Sequence, residues 1–219
     1  NRLKQMNLPE NTIFNVGCPA IEYMHSLPID KNFSFEKLIK KTFKKKIDIA
    51  SNEKYFIVML HPDTTNPHDL DAEVVLKAIE QFNVKSLVFY PNIDANNSKI
   101  VASMAKFNKN SLFYFIRHMP IEDFVSILAH ASLIIGNSSS VIREASSFGV
   151  PAINIGQRQV GRERNENTQD VQCHKDEIAS AIKLLLNKKY PPHNIYYKPN
   201  SVKNIIQETM TYLKTLSKK

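Results

Sequence analysis

The sequence predicts an α/β protein in which helices cover both faces of one parallel sheet, a doubly wound fold. Strands and helices alternate about six times along the 219 residues, an order that is typical of parallel sheets. Residues 55–60 (YFIVML) are almost continuously apolar, as expected of a strand covered on both faces. Residues 133–135 form a second apolar run, followed by a polar turn and a helical pattern.

The amino-terminal quarter of the chain is predicted to contain three helices and one short strand. Residues 1–8 resemble the end of a helix, and residues 12–16 (TIFNV) form a short β-rich run. Another helix begins at Pro19. A basic helical segment follows at residues 33–49, with apolar residues at core spacing at Phe35, Leu38, Ile39 and Phe43.

From residue 55 onward the pattern alternates between strands and helices. The predicted strands are residues 55–60, 86–90, 112–116, 133–135 and 150–156. The predicted helices are residues 70–82, 97–107, 120–128, 141–148, 175–186 and 201–216. The helix at 141–148 is expected to end at Gly149, where the next strand begins.

Composition and length indicate a protein with an ample core and one large domain or two small ones. Hydrophobic residues make up 42% of the chain, yet no apolar run approaches the roughly 18 to 20 residues of a membrane span. The first residues lack a signal-peptide pattern, so we expect a cytoplasmic protein. Cys18 and Cys173 lie far apart in sequence and are predicted to be reduced structural thiols.

The net charge of +8 suits either a polyanion or a single anionic nucleotide. Five lysines cluster at Lys40, Lys41, Lys44, Lys45 and Lys46. This cluster lacks the interleaved aromatic side chains that are typical of proteins that bind single-stranded nucleic acid. We therefore favour a solvated basic face over nucleic-acid binding. A non-enzymatic nucleic-acid module remains an alternative, and a steep salt dependence of binding would identify it.

The stretch at residues 132–169 organises the predicted site. A turn of turn-forming and capping residues, Gly-Asn-Ser-Ser-Ser at 136–140, joins a strand to a helix, a place where main-chain amides and the helix dipole favour a phosphate. Ser138 and Ser139 can donate to phosphate oxygens while Ser140 or its neighbour caps the helix. Glu144, farther along the helix, is placed to accept hydrogen bonds from ribose hydroxyls. Serine-rich turns also cap helices for purely structural reasons.

Three more candidates follow other predicted strands. His61 comes directly after residues 55–60, and Asn92 follows residues 86–90, where its amide can bind a base or ribose edge. A histidine in this position is more often structural, and an asparagine more often forms a local turn. Arg158 lies in the loop at 156–164, and its guanidinium can stack on a base or grip phosphate.

Several of these segments together resemble one enzyme family. The segments are GNSSSVIREASSFGVPAINIGQRQVGRERNEN, NVGCPAIEY, MLHPDTTN, FYPNIDANN and IRHMPIEDFVSILAHASLIIGNSS. In this order they are similar to the carboxyl-terminal half of the hydrolysing UDP-N-acetylglucosamine 2-epimerases. The resemblance spans most of the chain.

The resemblance implies a role for each candidate residue. It implies that His61 contacts the diphosphate and, as a protonated or donor imidazole, stabilises charge on the departing UDP. It also implies that Asn92 contacts UDP, that main-chain atoms of Met119 pack on the uracil, and that Arg158 meets the nucleotide. Arg162 and Glu166 are second-choice candidates and Gly17 is a minor one. Val141 stands where many relatives have glycine, which we expect to narrow the approach to the β-phosphate.

The resemblance also implies the architecture and the reaction. Residues 1–200 would be the Rossmann-like, nucleotide-binding domain of a two-domain enzyme of the glycosyltransferase-B type, and residues 201–219 a helix packing on an amino-terminal domain. The whole protein, expected to be a homo-oligomer, would convert UDP-N-acetylglucosamine to N-acetylmannosamine and UDP for sialic-acid-type synthesis, with no metal or cofactor. This half alone would turn over nothing. A 4-acetamido-6-deoxy sugar nucleotide could be the substrate instead, and a glycosyltransferase of the same architecture is the alternative function.

Overall fold

The computed structural model of the protein describes residues 2–29, 33–35, 38, 47–66 and 69–216. The chain forms two compact units, one of Asn1–Ser26 with Ile195–Lys219 and one of Leu27–Asn194. The prediction that residues 1–200 are the nucleotide-binding domain concerns function and stays a prediction.

The larger unit contains a six-stranded, entirely parallel sheet within its described residues. The strands are β1 (Tyr55–Met59), β2 (Lys85–Phe89), β3 (Phe113–Ile116), β4 (Leu133–Gly136), β5 (Ala152–Ile155) and β6 (Thr168–Val171). Their spatial order is β3-β2-β1-β4-β5-β6. The chain therefore builds outward from β1 to one edge and then returns beside β1 to build the other half. The doubly wound prediction is confirmed.

Helices on both sides of the sheet bury two separate apolar clusters. The described helices are α1 (Arg2–Gln5), α2 (Pro19–Ser26), α3 (Ala72–Glu80), α4 (Asn97–Ala105), α5 (Ile121–His130), α6 (Ser139–Ile142), α7 (Lys175–Leu185) and α8 (Ser201–Leu216). Alternate residues of β1 pack into opposite clusters. Phe56 and Val58 lie in the cluster that contains residues of α3, α4 and α7, and Ile57 lies in the cluster that contains residues of α5. This period of two explains why residues 55–60 are apolar throughout.

Two expectations about local structure are wrong, and one strand was not predicted. Residues 13–16 form no strand, because a β-rich run needs a neighbouring strand to pair with. The polar strand β6 was not predicted, although it pairs with β5 along four residues. The helix expected at 141–148 is interrupted: α6 ends at Ile142, and a 3-10 turn follows at Ala145–Phe148.

The interruption has a specific cause. The main-chain carbonyl of Arg143 accepts hydrogen bonds from Ser146 Oγ at 3.0 Å and from Asn194 Nδ2 at 2.6 Å. These donors occupy the carbonyl that a continuing α-helix would use, and the amide of Ser147 bonds to Glu144 instead. Glu144 therefore lies between two short turns and not within a regular helix.

The basic segment at 33–49 can be compared with its prediction only in part. Phe35 and Leu38 are buried as predicted, in the cluster that also contains Ile57. Ile39, Phe43 and the five clustered lysines lie outside the described residues.

Candidate nucleotide-binding site

The carboxyl ends of β1 and β4 meet at the centre of the sheet. In the parallel register Met59 stands beside Gly136, and the strand order reverses between these two strands. Ligands of doubly wound sheets bind outside the carboxyl ends of the strands at such a reversal. The residues that follow, from 60 in one loop and from 137 in the other, are therefore the first candidates for a site.

Asn137 joins these two loops through a pair of hydrogen bonds. The amide N–H of His61 donates to Asn137 Oδ1 at 2.7 Å, and Asn137 Nδ2 donates to the carbonyl of His61 at 2.8 Å. Asn137 is 1% exposed and His61 is 5% exposed. The main chain of His61 is thus fixed against the end of β4.

The imidazole of His61 is neutral and its tautomer is determined by a neighbour. Burial and, to a smaller extent, the positive charge of Arg158 lower the pKa of His61 to about 4, although the negative charge of Asp94 acts to raise it. The amide N–H of Asn92 donates to His61 Nδ1 at 3.2 Å. Since Nδ1 accepts, the proton of the neutral ring lies on Nε2, which can donate. Of the two predicted forms, the structure favours the donor imidazole over the protonated one.

The lowered pKa predicts that His61 destabilises the fold in acid. The unfolded chain takes up a proton near pH 6.5 while folded His61 does not until about pH 4, so the free energy of unfolding falls across that interval by roughly 3 kcal/mol from this residue. Urea denaturation at pH 7 and pH 4 should show a smaller acid loss for His61→Gln than for the unsubstituted chain. The exposed His193→Gln should show the full loss, and equal losses in all three proteins would contradict the prediction.

Arg158 reaches the same point from the loop after β5. Its Nη1 donates to the carbonyl of Asn137 at 3.1 Å, and Gln159 Nε2 donates to that carbonyl at 2.8 Å. Arg158 Nη2 also lies 4.0 Å from Asp94 Oδ2, and the amide of Gln157 donates to Asp69 Oδ2. Residues of the loops after β2 and β4 therefore contact the guanidinium itself, and a residue of the loop after β1 holds the main chain beside it.

The serine turn differs in one respect from its prediction. Ser138 itself is the N-cap of α6, and its Oγ accepts from the amide of Ser140 at 3.3 Å. Its hydroxyl hydrogen is not used in that bond, and Ser139 is half-buried beside it. Because α6 has four residues, its dipole is small, so any attraction for phosphate would come mainly from individual amides and hydroxyls.

Val141 packs into the core beside the serine turn, and its effect on the approach to the β-phosphate stays a prediction. Its side chain is fully buried in the apolar cluster that contains Ile57 and Phe124. An apolar side chain in the core leaves the polar edge of the turn to Ser138 and Ser139.

Glu144 is a largely buried carboxylate with spare hydrogen-bonding capacity. Its side chain is 16% exposed, with Oε1 3.4 Å from Arg143 Nη2, and Oε2 has no hydrogen-bond partner among the described residues. Burial raises the pKa of Glu144, against the opposing effects of Arg143 and Ser140. Such a group could accept hydrogen bonds from ligand hydroxyls.

The positions of the other predicted residues say less about a role in binding. Asn92 and Met119 follow neighbouring strands, Asn92 exposed and Met119 half-buried against the core. Arg162 and Glu166 are exposed. Gly17 lies in the smaller unit, where its φ is 86° and an added Cβ would lie 2.5 Å from Ser201 Oγ, so backbone conformation and packing account for this glycine without a ligand.

Sequence reasoning missed the residues that hold the site together. Asn137 was treated only as a turn residue, and Asp69, Asp94 and Gln159 were given no role. Their positions after strands were a usable signal, but their partners are 21 to 88 residues away and follow only from the sheet order.

No group of three His, Cys, Asp or Glu side chains in the described part of the chain could hold a metal ion. No helix in the same residues is long and apolar enough to cross a membrane. Cys18 and Cys173 are not joined in a disulfide, and both are half-buried.

The fold and the polar groups at the strand reversal define a Rossmann-like domain with a site where nucleotides bind in such proteins. Residues 1–209 match the family model described as UDP-N-acetylglucosamine 2-epimerase. The chain therefore belongs to the UDP-N-acetylglucosamine 2-epimerase family.

Curated relatives carry related names. The chain is 31% identical over 183 residues to the UDP-N-acetylglucosamine 2-epimerase of Neisseria meningitidis, covering 83% of this chain and 46% of the relative. It is 28% identical over 189 residues to the UDP-N,N'-diacetylbacillosamine 2-epimerase (hydrolyzing) of Legionella pneumophila, covering 85% and 48%. The Polysialic acid biosynthesis protein P7 of Escherichia coli is 27% identical over 226 residues, covering 99% and 56%. The chain thus spans about half the length of these relatives.

Solved structures confirm the fold. The Methanocaldococcus jannaschii UDP-GlcNAc 2-epimerase, in complex with UDP-GlcNAc and UDP, superposes with a TM-score of 0.74 at 21% identity, covering 97% of this chain and 58% of that one. The Neisseria meningitidis enzyme bound to UDP-GlcNAc gives 0.72 at 17% identity, covering 96% and 58%.

Proposed function

We propose that this chain is the UDP-binding half of a hydrolysing UDP-N-acetylglucosamine 2-epimerase. The observation that carries the proposal is the arrangement of His61, Arg158 and the serine turn around Asn137 at the strand reversal. It offers a neutral N–H donor, a guanidinium and free hydroxyl hydrogens, which together suit a diphosphate. The family match is the reason for proposing that the ligand also carries a uridine and a sugar.

The proposed reaction uses these groups on the leaving UDP. Anti-elimination breaks the bond between sugar C1 and the phosphate oxygen as a base removes the proton from C2, and water then adds to the resulting glycal. His61 Nε2–H and the Arg158 guanidinium would stabilise the negative charge that grows on the departing diphosphate. The acid and base carboxylates would belong to an amino-terminal domain, as would most contacts to the sugar.

Glu144 and the remaining candidates would bind the nucleoside. Glu144 Oε2 is a buried acceptor, and it would receive hydrogen bonds from the ribose hydroxyls. Asn92 and main-chain atoms of Met119 would line the uracil, since both follow strands at the same sheet edge. Arg162 and Glu166 are proposed only as peripheral contacts.

The proposal includes two classes of sugar and a biological setting. The relatives include proteins named for diacetylbacillosamine and for polysialic acid, so either N-acetylglucosamine or a diacetylated 6-deoxy sugar would fit, for sialic-acid-type synthesis in the cytoplasm. The full-length protein would be a homo-oligomer. A glycosyltransferase of the same architecture is the second candidate, supported by a sucrose-phosphate synthase from Thermosynechococcus elongatus with a TM-score of 0.52 at 16% identity, covering 78% of this chain and 48% of that one. The family match favours the epimerase.

The isolated 219-residue chain is expected to bind UDP and to release none from UDP-N-acetylglucosamine. Binding follows from the residues above, and inactivity follows because the acid and base carboxylates are proposed to belong to an amino-terminal domain. Calorimetric titration with UDP and a coupled assay for released UDP test the two parts. A single-stranded oligonucleotide titrated at 50 and 200 mM salt is the control, since polyanion binding through 6 to 10 phosphates would weaken by about 10³ to 10⁵ over that interval. Robust UDP release by the chain alone would contradict the proposal.

The reaction class is tested in a polypeptide that also carries an amino-terminal domain. Incubation with UDP-N-acetylglucosamine or UDP-N,N'-diacetylbacillosamine should give UDP and the free 2-epimeric sugar, identified by NMR. Transfer of the sugar to an acceptor would instead support the glycosyltransferase, and a 2-epimeric sugar still attached to UDP would exclude hydrolysis.

A further inference from the structure

Asn137 makes more contacts to the proposed site than a turn residue requires. Its side-chain amide pairs with both main-chain polar groups of His61. The main-chain carbonyl of Asn137 accepts hydrogen bonds from Arg158 Nη1 and from Gln159 Nε2. One buried residue at the end of β4 therefore connects the loop after β1 with the loop after β5.

We propose that Asn137 is a positioning residue that orients the His61 imidazole and the Arg158 guanidinium toward the diphosphate. This inference rests on the proposed function and adds a residue to it. Asn137 acts only through its two neighbours, so its effect is on their geometry.

The chemistry of the side chain explains why asparagine is needed. A primary amide presents one acceptor and two donor hydrogens, which matches the N–H and the carbonyl of a peptide group. An ionised aspartate of the same shape only accepts, and leucine does neither. With the main chain of His61 held in this way, its Nδ1 comes within 3.2 Å of the Asn92 amide, and Nε2 keeps the proton.

A second asparagine in the same unit provides a matched control. Asn167 is 3% exposed and donates from Nδ2 to the carbonyl of Val150 at 2.6 Å. It has no hydrogen bond to His61 or Arg158. Removing either side-chain amide leaves buried polar groups unpaired, so both substitutions should lower the stability of the fold. If only the substitution of Asn137 also changes UDP affinity and the His61 tautomer, Asn137 positions the site and does not merely stabilise the fold.

The test compares Asn137→Ala with Asn167→Ala in the full 219-residue chain. The readouts are UDP affinity by calorimetry and, without ligand, the ¹⁵N chemical shifts of the two His61 ring nitrogens, which report the tautomer. Asn137→Ala should weaken UDP binding by about tenfold or more and give a mixture of His61 tautomers. Asn167→Ala should leave both readouts at their original values. Unchanged His61 shifts in Asn137→Ala, or equal effects of the two substitutions, would overturn the proposal.

Asn137→Asp extends the test to a variant whose hydrogen bonding depends on pH. The ionised carboxylate would repel the carbonyl of His61, whereas the protonated carboxyl has one donor and one acceptor and restores the pair. The original His61 shifts should therefore return as the pH falls through the pKa of the new carboxyl, which burial raises. Failure to recover at any pH at which the chain is folded would count against positioning. If the unsubstituted chain does not bind UDP, the proposed function fails, while the ligand-free His61 shifts still decide the role of Asn137.

Discussion

Gly136→Ala is expected to abolish stable folding of the chain. Gly136 has φ of 144°, and a Cβ at this position would lie 2.0 Å from the main-chain oxygen of Met59. Met59 is in the central strand β1, which pairs with β2 and β4, so it cannot move away without disturbing the sheet. We expect a loss of more than about 4 kcal/mol in the free energy of unfolding, measured by urea denaturation monitored by circular dichroism.

Gly161→Ala is the control for backbone strain alone. Gly161 also has a positive φ, 79°, but it lies exposed in the loop after β5. Its substitution should cost about 1 kcal/mol from the left-handed conformation. If Gly136→Ala unfolds at the same urea concentration as Gly161→Ala, the close approach of β1 and β4 at the site is incorrect.

Glu144→Ala is expected to weaken UDP binding by at least about a hundredfold. Under the proposed function this carboxylate accepts hydrogen bonds from two ribose hydroxyls, and bonds to a charged group contribute about 1.5 to 3 kcal/mol each. Calorimetric titration measures the change. Removing one hydroxyl from the ligand, as in 2'-deoxy-UDP, should weaken binding to the original chain and have little further effect on the variant.

The same position should affect stability in the opposite direction. Because burial raises the pKa of Glu144, the ionised side chain costs free energy in the fold at neutral pH. Glu144→Gln should therefore unfold at a higher urea concentration than the unsubstituted chain at pH 7. This advantage should shrink as the pH falls and Glu144 of the unsubstituted chain becomes protonated in both the folded and the unfolded state. Weaker binding together with lower stability would indicate a structural role for Glu144 and contradict the ribose assignment.

Sequence reasoning predicted the parts of the fold that depend on local pattern. The apolar run at 55–60 indicated a strand buried on both faces, and β1 is buried along nearly its whole length. Strand β6 was missed because TQDV lacks an apolar pattern, and its partner β5 alone defines it. The break before Glu144 could not be predicted, since one donor to the Arg143 carbonyl is Asn194, 51 residues away.

In the candidate site, too, local pattern predicted single residues, whereas the contacts between them depend on the fold. His61, Asn92, Ser138 and Arg158 were identified because each follows a predicted strand or carries the family resemblance. The link between His61 and Asn137 spans 76 residues and exists only because β4 lies beside β1. The neutral state of His61 likewise depends on burial and on the charges of Arg158 and Asp94, which no single segment of the sequence contains.

The central claim is that the serine turn and Glu144 hold the two ends of one UDP molecule. A crystal structure of the chain with UDP tests it most directly. We expect the diphosphate within hydrogen-bond distance of Ser138, Ser139 and His61 Nε2, and the ribose hydroxyls on Glu144. A nucleotide bound elsewhere on the chain, or one whose ribose leaves Glu144 without a ligand contact, would contradict the account.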